Sequence, residues 1–573
     1  MSSDADRRPW YRELTRYHWF VFVVAALGWL FDTMDQQLFN LARRPACTDL
    51  LGLPPSDPSI DKFGGYATSI FLIGWAVGGL AFGVLGDRIG RARTMLWTIL
   101  IYSLCTGLSA FSRTIWDFAL YRFLTGLGVG GEFAVGVALV AEVMPDRARP
   151  FALGLLQALS AIGNISAALI SLGLGRLEET GALERFFAEQ LGFTSVSAWR
   201  VMFVVGTVPA LLAILIRRKL KEPERWRAKA TEGEVAKKLG SYAELFGNPR
   251  WRSHALVGLG LAFCGVVGLW AIGFFSIDLT RLVFRKTFEA EARQRGGGAL
   301  DRSFLALVLS DRSALEKASD KIQPSHLLSP EPGTRDAERL YAAAVDLFQS
   351  GETATPEALL NALDQGNPAK KLAPQTAEER QRRQAYLDAA SQGSDDVEAH
   401  IDRIGKRTRD INGRLTLWAA LTSVMLNLGA FFGIYAFSRV THLLGRRPTF
   451  AISFVLATLS TAMVFWYFQT ITDVFWMIPL MGFCQLSLFG GYAIYFPELF
   501  PTHLRSTGTS FCYNVGRLVA AAGPSALGLL TSEVFAGKSE PMRYAGVSMC
   551  SVFLLGLLVL PFAPETKGKP LPE

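Results

Sequence analysis

The sequence predicts an all-α membrane protein with twelve transmembrane helices in two six-helix halves and a helical extracytoplasmic insertion between spans seven and eight. Three observations predict this fold class. Half of the 573 residues are hydrophobic and only 19% are charged, against roughly 25% in soluble domains. Apolar segments long enough to cross a bilayer recur along the chain, and the second half repeats motifs of the first. A soluble globular protein is therefore excluded.

Twelve apolar segments have about the 20 residues that a helix needs to cross the hydrocarbon layer. An even number of spans places both termini on one side. The short connections on that side carry arginine or lysine, which predicts that both termini are cytoplasmic, and we expect the plasma (inner) membrane as the location. The segments lie near residues 18–42, 66–85, 94–111, 116–143, 151–174, 199–217, 252–283, 415–437, 448–469, 473–496, 508–531 and 541–562.

The span boundaries divide the chain into four parts. Residues 1–217 form an N-terminal six-helix bundle, 218–251 a cytoplasmic linker, and 252–283 with 413–573 a C-terminal six-helix bundle. Residues 284–412 form the insertion, which is polar and free of cysteine and carries helix start and stop signals between 355 and 366. The insertion is interpreted either as a structural or interaction cap or as a module that captures solute or an extracytoplasmic partner.

The two halves share motifs at a constant spacing. Gly90-Arg91 aligns with Gly445-Arg446 at an offset of 355, and AEVMP at 141–145 aligns with PELFP at 497–501 at an offset of 356. Once the insertion is subtracted, this offset matches the length of six spans with their loops. Six-span halves with a solute site between them at the bilayer midplane are typical of alternating-access transporters.

Composition and motifs argue against several other classes. Six scattered cysteines form no CxxC pair, so neither a disulfide scaffold nor a metal site is predicted, and no cofactor is expected. The formal charge of +8 collects in short loops beside the spans, where it sets orientation, so no nucleic-acid partner is expected. The glycine-rich run at 126–131 lacks the lysine of a P-loop and follows no strand. No enzymatic activity is predicted.

Five motifs resemble those of the major facilitator superfamily at the same positions along the bundle. The resemblance covers both halves but not the insertion, and it implies the twelve-helix major facilitator fold and transport of a small molecule across the lipid bilayer. The motif after span six is similar to the sugar-porter signature, whereas Gly130 to Phe133 resembles metabolite, sialate and monocarboxylate symporters. The five motifs are GDRIGR at 86–91, YRF at 121–123, EPERW at 222–226, PELFP at 497–501 with Arg505, and PETKG at 564–568.

Ionisable residues inside the spans are candidates for proton coupling. Asp32 and Asp35 lie three positions apart on span one, and a rise of about 1.5 Å per residue places Asp32 at the depth of Arg122 on span four. An ion pair there would offset the cost of burying both charges, and protonating the acid would release the arginine. The resemblance implies proton-coupling roles for Asp32 and Arg122, with a static ion pair as the alternative. Glu132, near the bilayer centre, is either a proton carrier or a packing or gating residue.

Polar and aromatic residues near the midplane are candidates for solute binding. Arg517 suits bidentate recognition of a carboxylate, although pairing with Glu132 or another buried acid is the alternative. Amides in span five are similar in spacing to residues of the sugar-porter pocket, or they join helices instead. Span seven lacks the paired glutamines of sugar porters, which puts a hexose in doubt. The predicted solute-binding residues are Arg517, Asn164, Gln157, Asn514, Trp270 and Tyr492.

Charged residues at the cytoplasmic ends of the spans are predicted to latch helices together in one transport state. They belong to the duplicated motifs and include both signs of charge. The predicted gating residues are Asp87, Arg88, Arg91, Glu142, Arg149, Arg446, Glu498 and Arg505.

These features predict a symporter that moves a small organic solute together with protons, with a carboxylate metabolite as the favoured solute. Three alternatives remain open. They are a sugar or polyol porter, an uncoupled facilitator or exporter, and a transporter-like sensor with an external binding domain.

Overall fold

The computed structural model is helical, as the sequence predicts. It describes residues 9–52, 58–179, 182–191, 197–231, 238–273, 275–310, 397–520, 526–527, 529–535 and 537–572, together with positions 318, 322, 326–328, 344–345 and 348. Within these ranges every regular element is a helix.

The N-terminal half and the linker contain ten α-helices in the described ranges, preceded by a 3₁₀ turn at Trp10–Glu13. They are α1 (Arg16–Leu51), α2 (Pro58–Arg88), α3 (Arg91–Ser109), α4 (Ile115–Val143), α5 (Arg149–Glu179), α6 (Ala182–Leu191), α7 (Ala198–Val205), α8 (Ala210–Lys219), α9 (Glu224–Thr231) and α10 (Tyr242–Gly247).

The rest of the described chain contains nine α-helices. They are α11 (Pro249–Val267), α12 (Phe275–Gln294), α13 (Gly297–Ser310), α14 (Val397–Leu444), α15 (Arg446–Tyr467), α16 (Asp473–Leu499), α17 (Arg505–Ala520), α18 (Pro541–Met549) and α19 (Ser551–Val559). Between or after these helices lie π-helical turns at Gly268–Gly273 and Leu530–Val534 and 3₁₀ turns at Thr502–Leu504 and Leu560–Phe562.

Nine helical stretches of the described residues are long and apolar enough to cross a membrane. The other three predicted spans coincide with α3, with α11 and the π-helical turn after it, and with α17. The total of twelve spans therefore stays a prediction.

The chain divides into two compact units. The first contains Met1–Leu279 and Ala420–Glu573, and the second contains Thr280–Ala419. The second unit includes the predicted insertion 284–412, and the position of that insertion outside the membrane stays a prediction.

Close approach of α2 and α4 shapes the N-terminal half. A β-carbon on Gly78 of α2 would overlap the main chain at Leu127, and one on Gly130 of α4 would overlap the main chain at Trp75. Small residues at such contacts let two helix backbones pack directly against each other. The glycines of α4 therefore bury the helix that carries Arg122 and Glu132.

The second unit has its own apolar core. Phe304, Leu305 and Val308 of α13 pack with Ile401 and Ile404 of α14. At the edge of this core, an ion pair of 2.7 Å joins Arg407 Nη1 to Asp301 Oδ1. This core and ion pair hold the first turns of α14 against α13.

Candidate functional site

A small cavity of about 60 Å³ lies between helices of the two halves of the first unit. Its wall combines five side-chain amides, three aromatic rings and one arginine. The amides are Gln36, Gln37, Gln157, Asn164 and Asn427, the rings belong to Trp29, Phe489 and Tyr513, and the charged residue is Arg517.

Arg517 is held among aromatic rings from both halves. Its guanidinium carbon lies 3.7 Å from the centre of the Trp75 ring and 4.6 Å from that of Tyr513. Tyr513 in turn stacks on Phe133 of α4 at a centroid distance of 4.1 Å. Cation–π contacts of this kind stabilise a guanidinium without neutralising its charge.

One carboxylate of the N-terminal half, Asp32, interacts with this arginine, and a second, Glu132, interacts with Asp32. Asp32 on α1 is only 1% exposed and interacts electrostatically with Glu132, Asp35 and Arg517. Within the described ranges, neither Asp32 oxygen accepts a hydrogen bond. Glu132 Oε2 accepts a hydrogen bond of 2.7 Å from Thr98 Oγ1.

The acids can lie this close because α1 carries a glycine one turn before Asp32. A β-carbon on Gly28 would overlap Glu132 Oε1. Residues four apart share one face of a helix, so the face of α1 that accommodates Glu132 also carries Asp32.

Asp35, and not Asp32, forms the ion pair with Arg122, which corrects the predicted pairing. The distance from Arg122 Nη1 to Asp35 Oδ2 is 3.9 Å, with both side chains fully buried. Arg122 also donates to Ser109 Oγ through Nη2 at 2.6 Å and Nε at 3.1 Å. Three residues on a helix differ by about 4.5 Å in depth, which counting residues from a span end does not resolve.

The predicted solute-binding residues separate into two groups. Arg517, Asn164 and Gln157 line the cavity. Asn164 Nδ2 donates to Asn427 Oδ1 at 2.9 Å and so joins the two halves beside it. Asn427 was missed by sequence reasoning, although an amide within span 415–437 was a visible signal.

Asn514 and Tyr492 do not line this cavity, and their assignment to solute binding stays a prediction. Asn514 Nδ2 donates to Ser510 Oγ at 2.9 Å and to the carbonyl of Gly130 at 3.4 Å, so it contacts α4 across the boundary between the halves. The Tyr492 hydroxyl donates to the carbonyl of Leu261 at 2.7 Å inside the C-terminal half. The side chain of Trp270 lies outside the described residues.

Four of the predicted gating residues form a buried network that we call the gate cluster: Asp87, Arg91, Glu142 and Arg505. Glu142 Oε1 accepts hydrogen bonds from Arg91 Nη2 at 2.9 Å and from Arg505 Nη1 at 2.7 Å. Arg91 Nη2 also lies 3.0 Å from Asp87 Oδ1. Because Arg505 belongs to the C-terminal half and the other three to the N-terminal half, the gate cluster joins the halves.

Asp87 adds a second link by binding the start of α17. Its carboxylate accepts hydrogen bonds from the backbone N–H groups of Ser506 at 3.1 Å and Thr507 at 2.8 Å, and from Thr507 Oγ1 at 2.7 Å. A carboxylate at a helix N-terminus satisfies free N–H groups and complements the helix dipole. The N-terminal half therefore caps a helix of the C-terminal half.

The repeated motifs build an equivalent cluster inside the C-terminal half. Arg446 binds Glu498 through Nη2 to Oε1 at 2.6 Å and Nε to Oε2 at 3.0 Å. Arg149 corresponds to Arg505, since each donates from Nε to the carbonyl eight residues earlier, at 2.8 Å and 3.1 Å. Arg149, however, forms its ion pair with Asp146. Arg88 lies beside the gate cluster and donates to the carbonyl of Leu239 at 3.2 Å.

Two further acids were not singled out as gating residues, although both lie in recognised motifs. Glu222 accepts hydrogen bonds from the backbone N–H groups of Ala92 and Arg93 at 3.2 and 3.1 Å. Glu565 does the same for Arg446 and Arg447 at 3.0 and 3.1 Å. Each acid caps the helix that carries the arginine of its own half.

Comparison with known proteins agrees with this architecture. The solved structure of the proton:xylose symporter XylE bound to 6-bromo-6-deoxy-D-glucose is 16% identical, with a TM-score of 0.54 over 97% of this chain and 98% of its own. The likeness shows a shared fold. The family model described as Major Facilitator Superfamily matches residues 24–290. Over these residues, nearly half of the chain, the sequence matches the major facilitator superfamily.

Several curated relatives are named as transporters of small organic molecules. A probable 4-methylmuconolactone transporter of Cupriavidus pinatubonensis is 24% identical over 560 residues, which are 98% of this chain and 93% of its own. The benzoate transport protein of Acinetobacter baylyi is 29% identical over 216 residues, which are 37% of this chain and 41% of its own. Several curated relatives are matched over less than half of their own length.

The family match and the nine apolar helical stretches of the described residues indicate an integral multi-pass membrane protein, and the relatives named above are transporters. The cavity, the acids beside it and the gate cluster are therefore candidate parts of a transport cycle.

Proposed function

We propose that the chain is a proton-coupled symporter of a small organic carboxylate that works by alternating access. The observation that carries the proposal is the position of Arg517, which lines the central cavity and interacts electrostatically with Asp32. A guanidinium recognises a carboxylate through two parallel hydrogen bonds. Relatives named for benzoate and 4-methylmuconolactone support a small organic solute of this kind.

The buried charges near the cavity suggest how protons take part. Asp32, Asp35 and Glu132 contribute three carboxylates, while Arg122 and Arg517 contribute two guanidinium groups, and all five are buried. Uncompensated charge away from water is costly. The solute-free site is therefore neutral with one bound proton, and a monocarboxylate solute requires a second. The proposed stoichiometry is one proton per monocarboxylate.

The solute carboxylate and Asp32 compete for Arg517, and this competition couples solute binding to protonation of Asp32. When the solute carboxylate binds Arg517, Asp32 loses its nearest opposite charge and is neutralised by a proton. When the proton leaves, Asp32 attracts Arg517 again and the solute is released. Binding energy for solute and proton is then available only when both are present.

The gate cluster supplies the conformational step of this cycle. In alternating access, one half rocks against the other around a fixed central site. The contacts of Glu142 with Arg505 and of Asp87 with the start of α17 would break as the halves separate. The contacts of Arg91 with Glu142, and of Arg446 with Glu498, each lie inside one half and persist. Trp10 and Pro572 lie at the same end of the bundle as the gate cluster, since Trp10 stacks on Phe151 and Arg505 Nη2 donates to the carbonyl of Pro572. We propose that this end is cytoplasmic.

Proteoliposomes loaded with buffer and given labelled benzoate test the proposal. We expect wild-type protein to accumulate benzoate when the outside is acidic. Asp32→Asn should lose accumulation but retain exchange of labelled for unlabelled benzoate. Arg517→Ala should lose both, with affinity falling about 30-fold or more, because truncating one partner of a buried charge pair costs about 2–5 kcal/mol.

Arg517→Lys is the matched variant, because it keeps the charge but not the bidentate geometry. We expect weak exchange that still depends on benzoate concentration. Exchange unaltered in Arg517→Ala would refute carboxylate recognition by this residue. Wild-type uptake that ignores the pH gradient would instead identify an uncoupled facilitator or exporter, and no uptake at all would favour a sensor.

A sugar or polyol porter is the second candidate, because five amides line the same cavity. Amides hydrogen-bond neutral hydroxyl groups as donors and acceptors. Exchange assays with labelled xylose in place of benzoate separate the two candidates. A sugar porter would exchange xylose and remain insensitive to benzoate as a competitor.

A further inference from the structure

A second cavity, of about 360 Å³, lies within the unit Thr280–Ala419, and we call it the insertion pocket. Ligand pockets in proteins are typically clefts of about 300–1,000 Å³, so its size suits a small molecule. Its wall comes from the end of α12, the start of α13 and the first turns of α14. The lining residues are Phe288, Glu291, Ala292, Arg295, Gly296, Gly297, Leu300, Arg403, Arg407, Asp410, Ile411 and Arg414.

The charges around the insertion pocket are unequal. Four arginines face two acids, Glu291 and Asp410, so the wall carries a formal excess of positive charge. Two of the arginines are already engaged by acids. Arg407 pairs with Asp301 at 2.7 Å and Arg414 with Glu291 at 2.9 Å.

The other two arginines are less engaged, although Arg295 interacts electrostatically with Glu291. Arg295 and Arg403 are both exposed to solvent. Among the residues described in this unit, neither guanidinium lies within 4.0 Å of a carboxylate. Arg295 enters the pocket wall from the turn after α12, and Arg403 enters it from α14.

The rest of the wall adds an apolar surface and a helix start. Phe288, Leu300 and Ile411 contribute hydrocarbon, and the Phe288 ring lies 3.8 Å from the guanidinium carbon of Arg414. Gly296 has a φ of 87°, and this turn begins α13 at Gly297. The positive end of the α13 dipole therefore adds to the field of the arginines.

We propose that the insertion pocket binds a small organic anion whose carboxylate is attached to an apolar body such as an aromatic ring. The carboxylate would lie between Arg295 and Arg403, and the apolar body against Phe288, Leu300 and Ile411. This site goes beyond the proposed transport function, since it belongs to a different unit from the central cavity. It gives the second unit a solute-binding role of its own.

Equilibrium dialysis of labelled benzoate with the purified full-length protein tests the proposal. We expect two classes of site in the wild type. The double variant Arg295→Ala with Arg403→Ala should weaken one class about tenfold, the combined effect of two solvent-exposed charge pairs. Raising the salt from about 0.05 to 0.5 M should weaken the same class more than the buried central one, since exposed charges are screened.

Lys406→Ala with Arg409→Ala is the matched control, because both residues are exposed on the same helix and do not line the pocket. It removes the same total charge from the second unit as the double variant does, and it should leave both classes unchanged. Arg517→Ala should affect only the other class. If Arg517→Ala instead leaves benzoate binding intact while the double variant weakens it, the central proposal fails and this one stands.

Three outcomes would overturn the insertion pocket as a carboxylate site. The first is equal binding by the double variant and its control. The second is complete loss of benzoate binding in Arg517→Ala, which would leave no second class of site. The third is displacement by inorganic phosphate at the same concentration as benzoate, which would show that charge alone is recognised and the apolar wall is not used.

Discussion

Replacing Glu142 by glutamine should open the gate cluster without unfolding either half. One oxygen of Glu142 accepts from Arg91 at 2.9 Å and from Arg505 at 2.7 Å, and all three side chains are fully buried. Removing one partner of a buried ion pair costs about 3–5 kcal/mol. The part of this cost that comes from the Arg91–Glu142 pair is the same in both transport states, because both residues lie in the N-terminal half. The loss of the Glu142–Arg505 contact costs about 2 kcal/mol only in the state in which the gate cluster is formed. This cost shifts the equilibrium about 30-fold toward the state in which the halves are separated.

Alkylation of a cysteine at the contact between the halves measures that shift. Ser506 is fully buried and packs against Gly86, where an added β-carbon would lie 2.5 Å from Ser506 Oγ. A Ser506→Cys reporter should therefore react with a maleimide only when the halves separate. Peptide-level mass spectrometry separates this position from the six native cysteines. We expect alkylation about 30-fold faster when Glu142→Gln is added.

Glu498→Gln is the matched control for this experiment. It removes a buried acid of the same chemistry, whose bidentate pair with Arg446 lies within the C-terminal half. We expect it to lower thermal stability but to change Ser506→Cys alkylation little. Equal acceleration by both variants, or none by Glu142→Gln, would refute the reasoning that the gate cluster holds the halves together.

Three further predictions follow from the described contacts. Gly28→Ala should displace the ends of the Glu132 and Met95 side chains at a cost of about 1 kcal/mol, and solute exchange should fall because the Glu132 carboxylate moves. Gly173→Ala, where nothing lies within 4 Å, should not lower the melting temperature. Benzoate uptake should be electroneutral, so imposing a membrane potential with valinomycin should leave the initial rate unchanged, whereas a marked response would contradict one proton per carboxylate. Burial alone would raise the pKa of Glu565, but hydrogen bonds from backbone N–H groups outweigh it and hold this pKa below its ordinary value. The cap that Glu565 forms therefore stabilises the fold above about pH 4.3. This stabilisation is lost as the pH falls through the lowered pKa. Glu565→Gln should therefore cost about 1 kcal/mol at pH 7 and progressively less as the pH falls below about 4.3, as measured by thermal unfolding.

The helical class and the superfamily could be read from the sequence because both depend on long-range patterns. Apolar length alone identifies a span, and the repeated motifs mark the helix ends at which halves meet. The repeated Gly-Arg pairs, Gly90-Arg91 and Gly445-Arg446, also share the same local backbone geometry. Both glycines have positive φ values, 109° and 101°, and a β-carbon on each would collide with the acid that caps the next helix.

Side-chain partners could not be predicted in the same way, since they depend on the rotation and depth of each helix. Asp32 and Asp35 share one helix face, and only the packing of α1 against α4 decides that Asp35 lies beside Arg122. Asn514 and Arg517 lie three residues apart on α17, yet one contacts Gly130 across the halves and the other lines the cavity. The insertion pocket was not predictable, because its arginines come from segments more than a hundred residues apart.

The two halves repeat each other in sequence, but their equivalent residues make different contacts at the gate cluster. At the offset of 355 that relates Arg91 to Arg446, the position of Asp87 is occupied by His442. Asp87 caps the first turn of α17, whereas His442 lies with its ring 5.3 Å from that of Phe151 near the start of α5. The residue of α5 equivalent to Ser506 is Pro150, which has no N–H group to donate, so a carboxylate at position 442 would find one donor fewer. The gate cluster therefore binds the start of α17 and not the start of α5. We expect separation of the halves to begin with the release of α17 from Asp87 and Glu142.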